Sequence, residues 1–368
     1  MDVSWDQLVF DFGEEVITRR GIPRLLLTVK QAGLILSVGR TTTYELINAG
    51  ELQVVHIGRS ARVPLHSIEA YVERLQRARR LWLVGTGTSL HAAELGAAML
   101  QEAGRSAQAV SSMHFVTWTP GVAARDGLIV ISHNAGGETS YAKAARGQAL
   151  DAGMRVVSIT RQGGGLPEAI ETVPKETSET YTVSYTTTLV VLAKLASAMG
   201  AEGITDEGIA RLPDAVRDAL EDPVVDQVPQ PQRLLVLFGC GPASVTAREG
   251  ALKVREASRF PAEGYDAEYL LHGSAVPLNG QDHVVSIGPP DPDGLLGAME
   301  AAAAGAGIPS TSIREPSDLH PVLAQIPLTV RLQLLAVRFA KERGQDPDSV
   351  ITGSWASPDL WSLGTPGQ

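Results

Sequence analysis

Apolar and polar positions alternate in two different rhythms along the 368 residues. Between 25 and 75 the apolar residues recur at helical spacing in short pieces. LLTVKQAGLIL predicts a helix with Thr28 as N-cap, SVGR a turn, and TTTYELINAG a second helix starting near Thr41 or Thr42 and stopping at Gly50. LQVVHIGRSARVPL predicts two strands around Gly58-Arg59-Ser60, and SIEAYVERLQRARR a closing helix. Two short helices joined by a Gly-containing turn make a helix-turn-helix with a β wing. From Leu81 the rhythm changes. LWLV and LLVLF are unbroken apolar runs and DGLIVIS and MRVVSIT largely apolar ones, and all four lead through glycine-containing loops toward helices. Continuous apolar strands alternating with helices predict an α/β fold with doubly wound parallel sheets.

The pattern divides the chain into an unassigned extension at 1–24, a winged helix-turn-helix at 25–80, an α/β unit at 81–200, a helix and proline-containing linker at 201–233, a second α/β unit at 234–353 and a tail at 354–368. ITDEGIARLPDAVRDAL in the linker predicts one amphipathic helix, and IPLTVRLQLLAVRFAKERG a buried helix with a glycine stop.

Candidate chemistry centres on EGALKVREASRFPAEGYDAEYLLH, which follows LLVLF and a GCGP turn. Glu249, Lys253 and Glu256 fall at i, i+4 and i+7 and share a helix face. Near the carboxyl end of a strand, two carboxylates and an ammonium suit acid–base work, although an ordinary exposed Glu–Lys pair has the same spacing. Gly85-Thr86-Gly87-Thr88-Ser89 opens a helix, where backbone N–H groups suit an oxyanion; many parallel sheets carry such a loop. The hydroxyl-rich stretch ETSETYTVSYTTT is either a further binding loop or a run of helix caps.

Charge sharpens the first module. The chain totals −10, yet residues 21–80 hold nine Lys/Arg against four Asp/Glu, a net +5 that leaves −15 to the rest. A basic module on an acidic body suggests nucleic acid as a partner. One cysteine, Cys240, excludes an intrachain disulfide and fits a reducing cytoplasm; the N-terminus lacks the order of a signal peptide, and no apolar run is long enough to span a membrane. The eight histidines show no metal-ligand spacing, so no metal or other cofactor is expected.

Three groups of motifs carry family resemblances. The pattern LTV…A…LSVGRTTTYELI…GEL…IGRSARVP…EAYVER resembles the excisionase-type (MerR-like) helix-turn-helix domains. That resemblance implies a recognition helix over 41–48, with Arg40, Thr41, Thr42 and Tyr44 at its exposed leading end and Arg59 and Arg62 on the wing, all contacting DNA. EGALKVREAS…AEGY…LLHG, with the Gly-Gln-Asp-Pro-Asp motif at 344–348, resembles the isomerase half of glucosamine-6-phosphate synthase and related tandem sugar-isomerase (SIS) proteins. The GTS, HNAGGET and Tyr181-Thr182 loops resemble the phosphate-holding loops of their first SIS half.

The SIS resemblance implies two SIS domains and a hexose or aminohexose 6-phosphate held by Thr88, Ser89, Ser132, Asn134, Thr139 and Thr182. HNAGGET is about two residues longer than the family loop, and Val183 stands where the family has lysine. It further implies Glu256 as the base moving a proton between C1 and C2, His272 as the ring-opening group reaching the neighbouring subunit's site, and Lys253 and Glu249 as orienting groups. A homodimer follows. The synthase's glutamine-hydrolysing domain has no counterpart here. The family's Schiff-base lysine would fall near Thr352, and DSVITGSWASPDLWSLGTPGQ contains no lysine. The expected activity is therefore sugar-phosphate isomerisation or amino-sugar-phosphate deamination rather than glutamine-dependent synthesis. The alternative is a non-catalytic regulator whose DNA affinity responds to a sugar phosphate.

Overall fold

The computed structural model describes residues 26–35, 40–48, 52–57, 60–64, 78–118, 121–133, 140–166, 168–291 and 293–362. The first module contains β1 (Leu26–Thr28), α1 (Val29–Ile35), α2 (Arg40–Asn48), β2 (Val55–Ile57) and β3 (Ser60–Pro64). β2 and β3 form the antiparallel wing with Ile57 opposite Ser60, and β1 adds to β3, giving the order β1-β3-β2. Thr28 ends β1 and immediately precedes α1. The predicted closing helix lies, over 65–77, outside the described residues.

The α/β body begins with β4 (Leu81–Gly85), α3 (Thr88–Glu102), β5 (Ala107–Ser111), α4 (Ser112–Trp118), β6 (Gly127–Ile131), α5 (Ser140–Asp151), β7 (Arg155–Thr160), β8 (Ala169–Glu171) and α6 (Thr182–Ala198). Their sheet is parallel, in the order β5-β4-β6-β7-β8. Two of these strands, β5 and β8, are not anticipated by the apolar runs. Both lie at sheet edges, and the sequence AQAVS buries only Ala107, so no continuous apolar signal marks it. The two faces of β4 divide strictly. Leu81 and Leu83 join the core beneath α3 and α6, whereas Trp82 and Val84 join Phe115 and Ala145 beneath α4 and α5.

The predicted single linker helix is two, α7 (Asp206–Ala210) and α8 (Leu212–Glu221). The Thr205 Oγ1 accepts from Gly208 N (3.1 Å) to start the first, and Pro213, which lacks an N–H, sits in the first turn of the second. The second sheet follows through β9 (Leu235–Gly239), α9 (Pro242–Ser258), β10 (Ala262–Asp266), β11 (His283–Gly288), α10 (Leu295–Gly305), β12 (Ser310–Arg314) and α11 (Gln325–Glu342). Its parallel order, β10-β9-β11-β12, repeats the first four places of the first sheet.

The likeness of the halves reaches individual residues. Gly87 (φ 56, ψ −128) and Gly241 (φ 54, ψ −126) precede α3 and α9 in the same left-handed conformation, which favours glycine. Arg79 forks onto Asp126, and Arg233 forks onto Asp282, at the amino ends of the corresponding strands. A Cβ on Gly96 would meet Leu192 on α6 at 2.7 Å, and one on Gly250 would meet Leu332 on α11 at 2.4 Å. α3 and α9 also pack against each other, so the two halves meet across the helices that follow their first strands.

Candidate active site

A cavity of about 710 Å³ opens at the carboxyl ends of β4 and β6. Its lining includes Thr86–Ser89 before and on α3, Ser132 and His133 after β6, Tyr181, Ser184, Tyr185 and Thr188 of α6 and its N-cap, and Lys253 and Glu256 of α9. Val350, Ile351 and Ala356 complete it from the C-terminal segment. That segment is tied down by Glu179, whose carboxylate accepts from Val350 N (2.9 Å) and whose own N–H donates to the Asp348 carbonyl (3.2 Å).

The helical spacing of Glu249, Lys253 and Glu256 produces a buried network rather than an exposed pair. Lys253 is 2% exposed. Its Nζ donates to Glu256 Oε2 (2.5 Å) and to the Thr180 carbonyl (2.7 Å), and stands 3.6 Å from Glu249 Oε1. Glu249 is fully buried and is held by the first half of the chain: Thr88 Oγ1 donates to Oε1 (3.2 Å) and His91 Nδ1 to Oε2 (2.7 Å). Burial alone would push Glu249 upward; Lys253, His91 and Thr88 outweigh it and hold the carboxyl below its usual range. Glu256 differs. Burial pushes its pKa up, only partly offset by Lys253 and reinforced by the charge of Glu249. Two carboxylates on one helix are thereby driven in opposite directions, the arrangement that separates a permanent anion from a proton acceptor.

Among the expected phosphate-binding residues, Thr88, Ser89 and Ser132 line the cavity. Asn134 and Thr139 lie outside the described residues. Thr182 is not on the lining; its Oγ1 is 3.5 Å from Glu176 Oε1 and its carbonyl accepts from Gln333 (3.3 Å). The same Glu176 carboxylate accepts from the N–H groups of Val183 (3.0 Å) and Ser184 (2.7 Å), capping α6 with the chain's own anion. Tyr181, at φ 51, turns into the cavity instead. His272 is 77% exposed, 3.9 Å from Glu268, and the fold of one chain does not bring it to the cavity. Gly273, at φ 122, kinks the segment that carries it.

In the helix-turn-helix module, Tyr44 is exposed on α2, but Thr42 is not. At 7% exposure it is buried with Thr43 in a module where α2 packs against α1, which corrects its expected place on the exposed face. Arg40 and Thr41 open α2 and Arg62 lies in β3 opposite Val55 and Thr28; their side chains, and Arg59 altogether, are outside the described residues.

Three residues at this site carry no strong signal in the sequence: His91, His133 and Glu176. His91 is one turn from Thr88 on α3, so a search for polar residues at i+3 from the glycine-rich loop would have found it. Among the described residues no group of His, Cys, Asp and Glu could hold a metal ion, and no helix is long and apolar enough to cross a membrane.

The family model for the SIS domain matches residues 74–198, and that for a helix-turn-helix domain matches 26–76. Over 308 residues the chain is 31% identical to the glutamine–fructose-6-phosphate aminotransferase (isomerizing) of Pyrococcus horikoshii, covering 75% of this chain and 51% of that protein. The chain thus spans about half the length of the curated relatives it matches. Its fold is similar to that of tagatose-6-phosphate ketose/aldose isomerase from Escherichia coli (TM-score 0.64, 18% identity, 89% of this chain and 96% of that one). It is also similar to glucosamine-6-phosphate deaminase from Thermotoga maritima (TM-score 0.61, 15% identity, 87% and 95%). The chain thus carries a helix-turn-helix domain followed by an SIS domain, and is similar over about half their length to isomerizing glutamine–fructose-6-phosphate aminotransferases.

Proposed function

We propose that this protein is a phosphosugar isomerase or amino-sugar-phosphate deaminase built from two SIS domains, in which Glu256 moves the proton. The observation that carries this reading is Glu256 itself: a largely buried carboxylate on the cavity wall, raised in pKa and oriented by Lys253. The repeated strand order, the paired glycines and the paired Arg–Asp forks support the second SIS domain.

The chemistry follows from these groups. The hydroxyls of Ser89 and Ser132 and the amides opening α3 receive the phosphate of a hexose or aminohexose 6-phosphate, while the Thr88 hydroxyl stays on Glu249. Glu256 takes the proton from C1 or C2 of the open-chain sugar. The C–H pair becomes the C1=C2 double bond of an enediol or enediolamine as the carbonyl π pair moves to its oxygen, which takes a proton. The Glu256 carboxyl then returns its proton to the neighbouring carbon while the other heteroatom loses one and forms the new C=O or C=N bond. Collapse of an enolamine toward a ketone, with water adding and ammonia leaving, gives the deaminase outcome. Lys253, held by a carboxylate and a carbonyl with Glu249 close by, is a fixed cation and not a free amine for Schiff-base formation. His272, exposed on its own chain, opens the ring in the site of a second copy, which makes the working unit a homodimer. A dimer also pairs two helix-turn-helix modules for DNA.

The test is proton NMR in D₂O with fructose 6-phosphate, glucose 6-phosphate and glucosamine 6-phosphate. Exchange at C1 or C2 that vanishes in Glu256→Gln supports the enzyme. Saturable binding without exchange moves the weight to the second reading, a sugar-phosphate-responsive DNA-binding regulator, which the helix-turn-helix domain at 26–76 favours. That regulator must show a sugar-phosphate-dependent shift in retarding DNA; insensitivity to every sugar phosphate removes it.

A further inference from the structure

His133 is 8% exposed and lines the cavity, yet the proposed proton chemistry makes no use of it. Its Nε2 is 3.0 Å from Thr172 Oγ1 and 3.4 Å from Thr188 Oγ1. Both hydroxyls have already committed their protons: Thr172 Oγ1 donates to the Thr160 carbonyl (3.0 Å) and Thr188 Oγ1 to the Ser184 carbonyl (2.8 Å). Each can therefore only accept from the ring, so Nε2 carries the hydrogen. Burial lowers the pKa of His133 to about 4, against a smaller upward pull from Glu176, so the ring is neutral at physiological pH. A neutral ring with its hydrogen on Nε2 has a lone pair on Nδ1. Among the described residues no protein donor engages that nitrogen.

A second group on the same wall has the same need. Ser184 stands one turn before Thr188 on α6, is 2% exposed and belongs to the cavity lining. Its Oγ is buried without a hydrogen-bond partner. A buried hydroxyl left unpaired costs free energy that a bound polar group recovers.

Resting on the sugar-phosphate reading of the cavity, we propose that His133 and Ser184 form a subsite for sugar hydroxyls. In it His133 Nδ1 accepts from one hydroxyl, and Ser184 Oγ pairs with the same or the adjacent one. The subsite recognises the sugar and not its phosphate, because a neutral acceptor lone pair offers a phosphate dianion nothing. Thr172 and Thr188 are positioning residues that fix the tautomer.

The experiment is calorimetric titration of the full chain with fructose 6-phosphate, glucose 6-phosphate and their monodeoxy analogues, for wild type, His133→Leu and Ser184→Ala. Removal of the recognised hydroxyl is expected to weaken wild-type binding by about 3–10-fold, the range of one neutral hydrogen bond. In each variant that discrimination should fall to within about twofold, at the same or the adjacent position, while other positions keep theirs. If His133→Leu does not fold, Ser184→Ala, which only removes a buried hydroxyl, decides. Wild type indifferent to every deoxy analogue, or variants that keep the full wild-type discrimination, overturns the subsite and leaves the sugar-phosphate reading standing. Wild type that binds none of the sugar phosphates overturns both.

Discussion

Arg248 and Glu94 occupy equivalent places in the two halves, 154 positions apart, and pair with each other: Nη1 lies 3.1 Å from Oε1, with Nη2 on the second carboxylate oxygen. The same spacing separates Gly85 from Gly239, Gly87 from Gly241, Gly96 from Gly250 and Arg79 from Arg233. The pair therefore sits where α3 and α9 cross, at the seam of the two sheets. Both side chains are about a third exposed, so solvent screens the attraction. A double-mutant cycle of Arg248→Ala and Glu94→Ala should give a coupling of about 0.5–1 kcal/mol in chemical denaturation. A coupling near zero would show that this pair adds nothing to the joining of the halves.

Glu256 and Glu249 predict different responses to acid. Since burial raises Glu256, the base form needed for proton abstraction is lost at a pH above that of an ordinary glutamate. The acid limb of kcat/KM for any isomerising turnover should lie there. Replacing Glu256 with Gln should lower turnover by about 10²–10⁴-fold while sugar-phosphate affinity changes little. A limb at the ordinary glutamate position would assign the base elsewhere.

Stability has the opposite sign at Glu249. Its folded pKa lies below the unfolded value, so its contribution is complete above the ordinary glutamate range and is lost as pH falls through the folded pKa. Lys253→Met leaves two carboxylates facing each other without their cation. The expected loss is about 3–5 kcal/mol near neutral pH, read by denaturant unfolding. A loss under about 1 kcal/mol would mean that His91 and Thr88 suffice to hold Glu249.

Gly250 permits the close approach of α9 and α11. A methyl group there would stand 2.4 Å from Leu332 Cδ1, deep in the second core. Gly250→Ala should destabilise by about 1–3 kcal/mol in spite of alanine's better helix propensity. A stabilised variant would show that Leu332 moves aside without cost.

His272 tests the shared site. On its own chain the side chain is 77% exposed. If it serves the neighbouring copy, Glu256→Gln and His272→Asn homodimers are each impaired. Random exchange of their subunits should then restore up to about one quarter of wild-type activity, because half the dimers carry one intact site of two. No recovery after verified exchange would place His272 outside the partner's site.

Sequence alone determined the parts whose signal is local. The central strands β4, β6 and β9 are buried throughout and read as apolar runs. Helical spacing placed Glu249, Lys253 and Glu256 on one face, since i, i+4 and i+7 are fixed by the pitch of the helix. The edge strands β5 and β8 escaped because they bury little and so leave no continuous pattern. Tertiary structure alone decided which partners those residues meet. His91 reaches Glu249 across 158 positions, Lys253 reaches the Thr180 carbonyl across 73, and His133 finds Thr172 just after β8 and Thr188 on α6. No periodicity encodes such contacts, because they exist only once two sheets and their helices have packed. The same packing holds Glu249 low and pushes Glu256 up, for burial and neighbouring charge, not residue type, set a carboxylate's pKa.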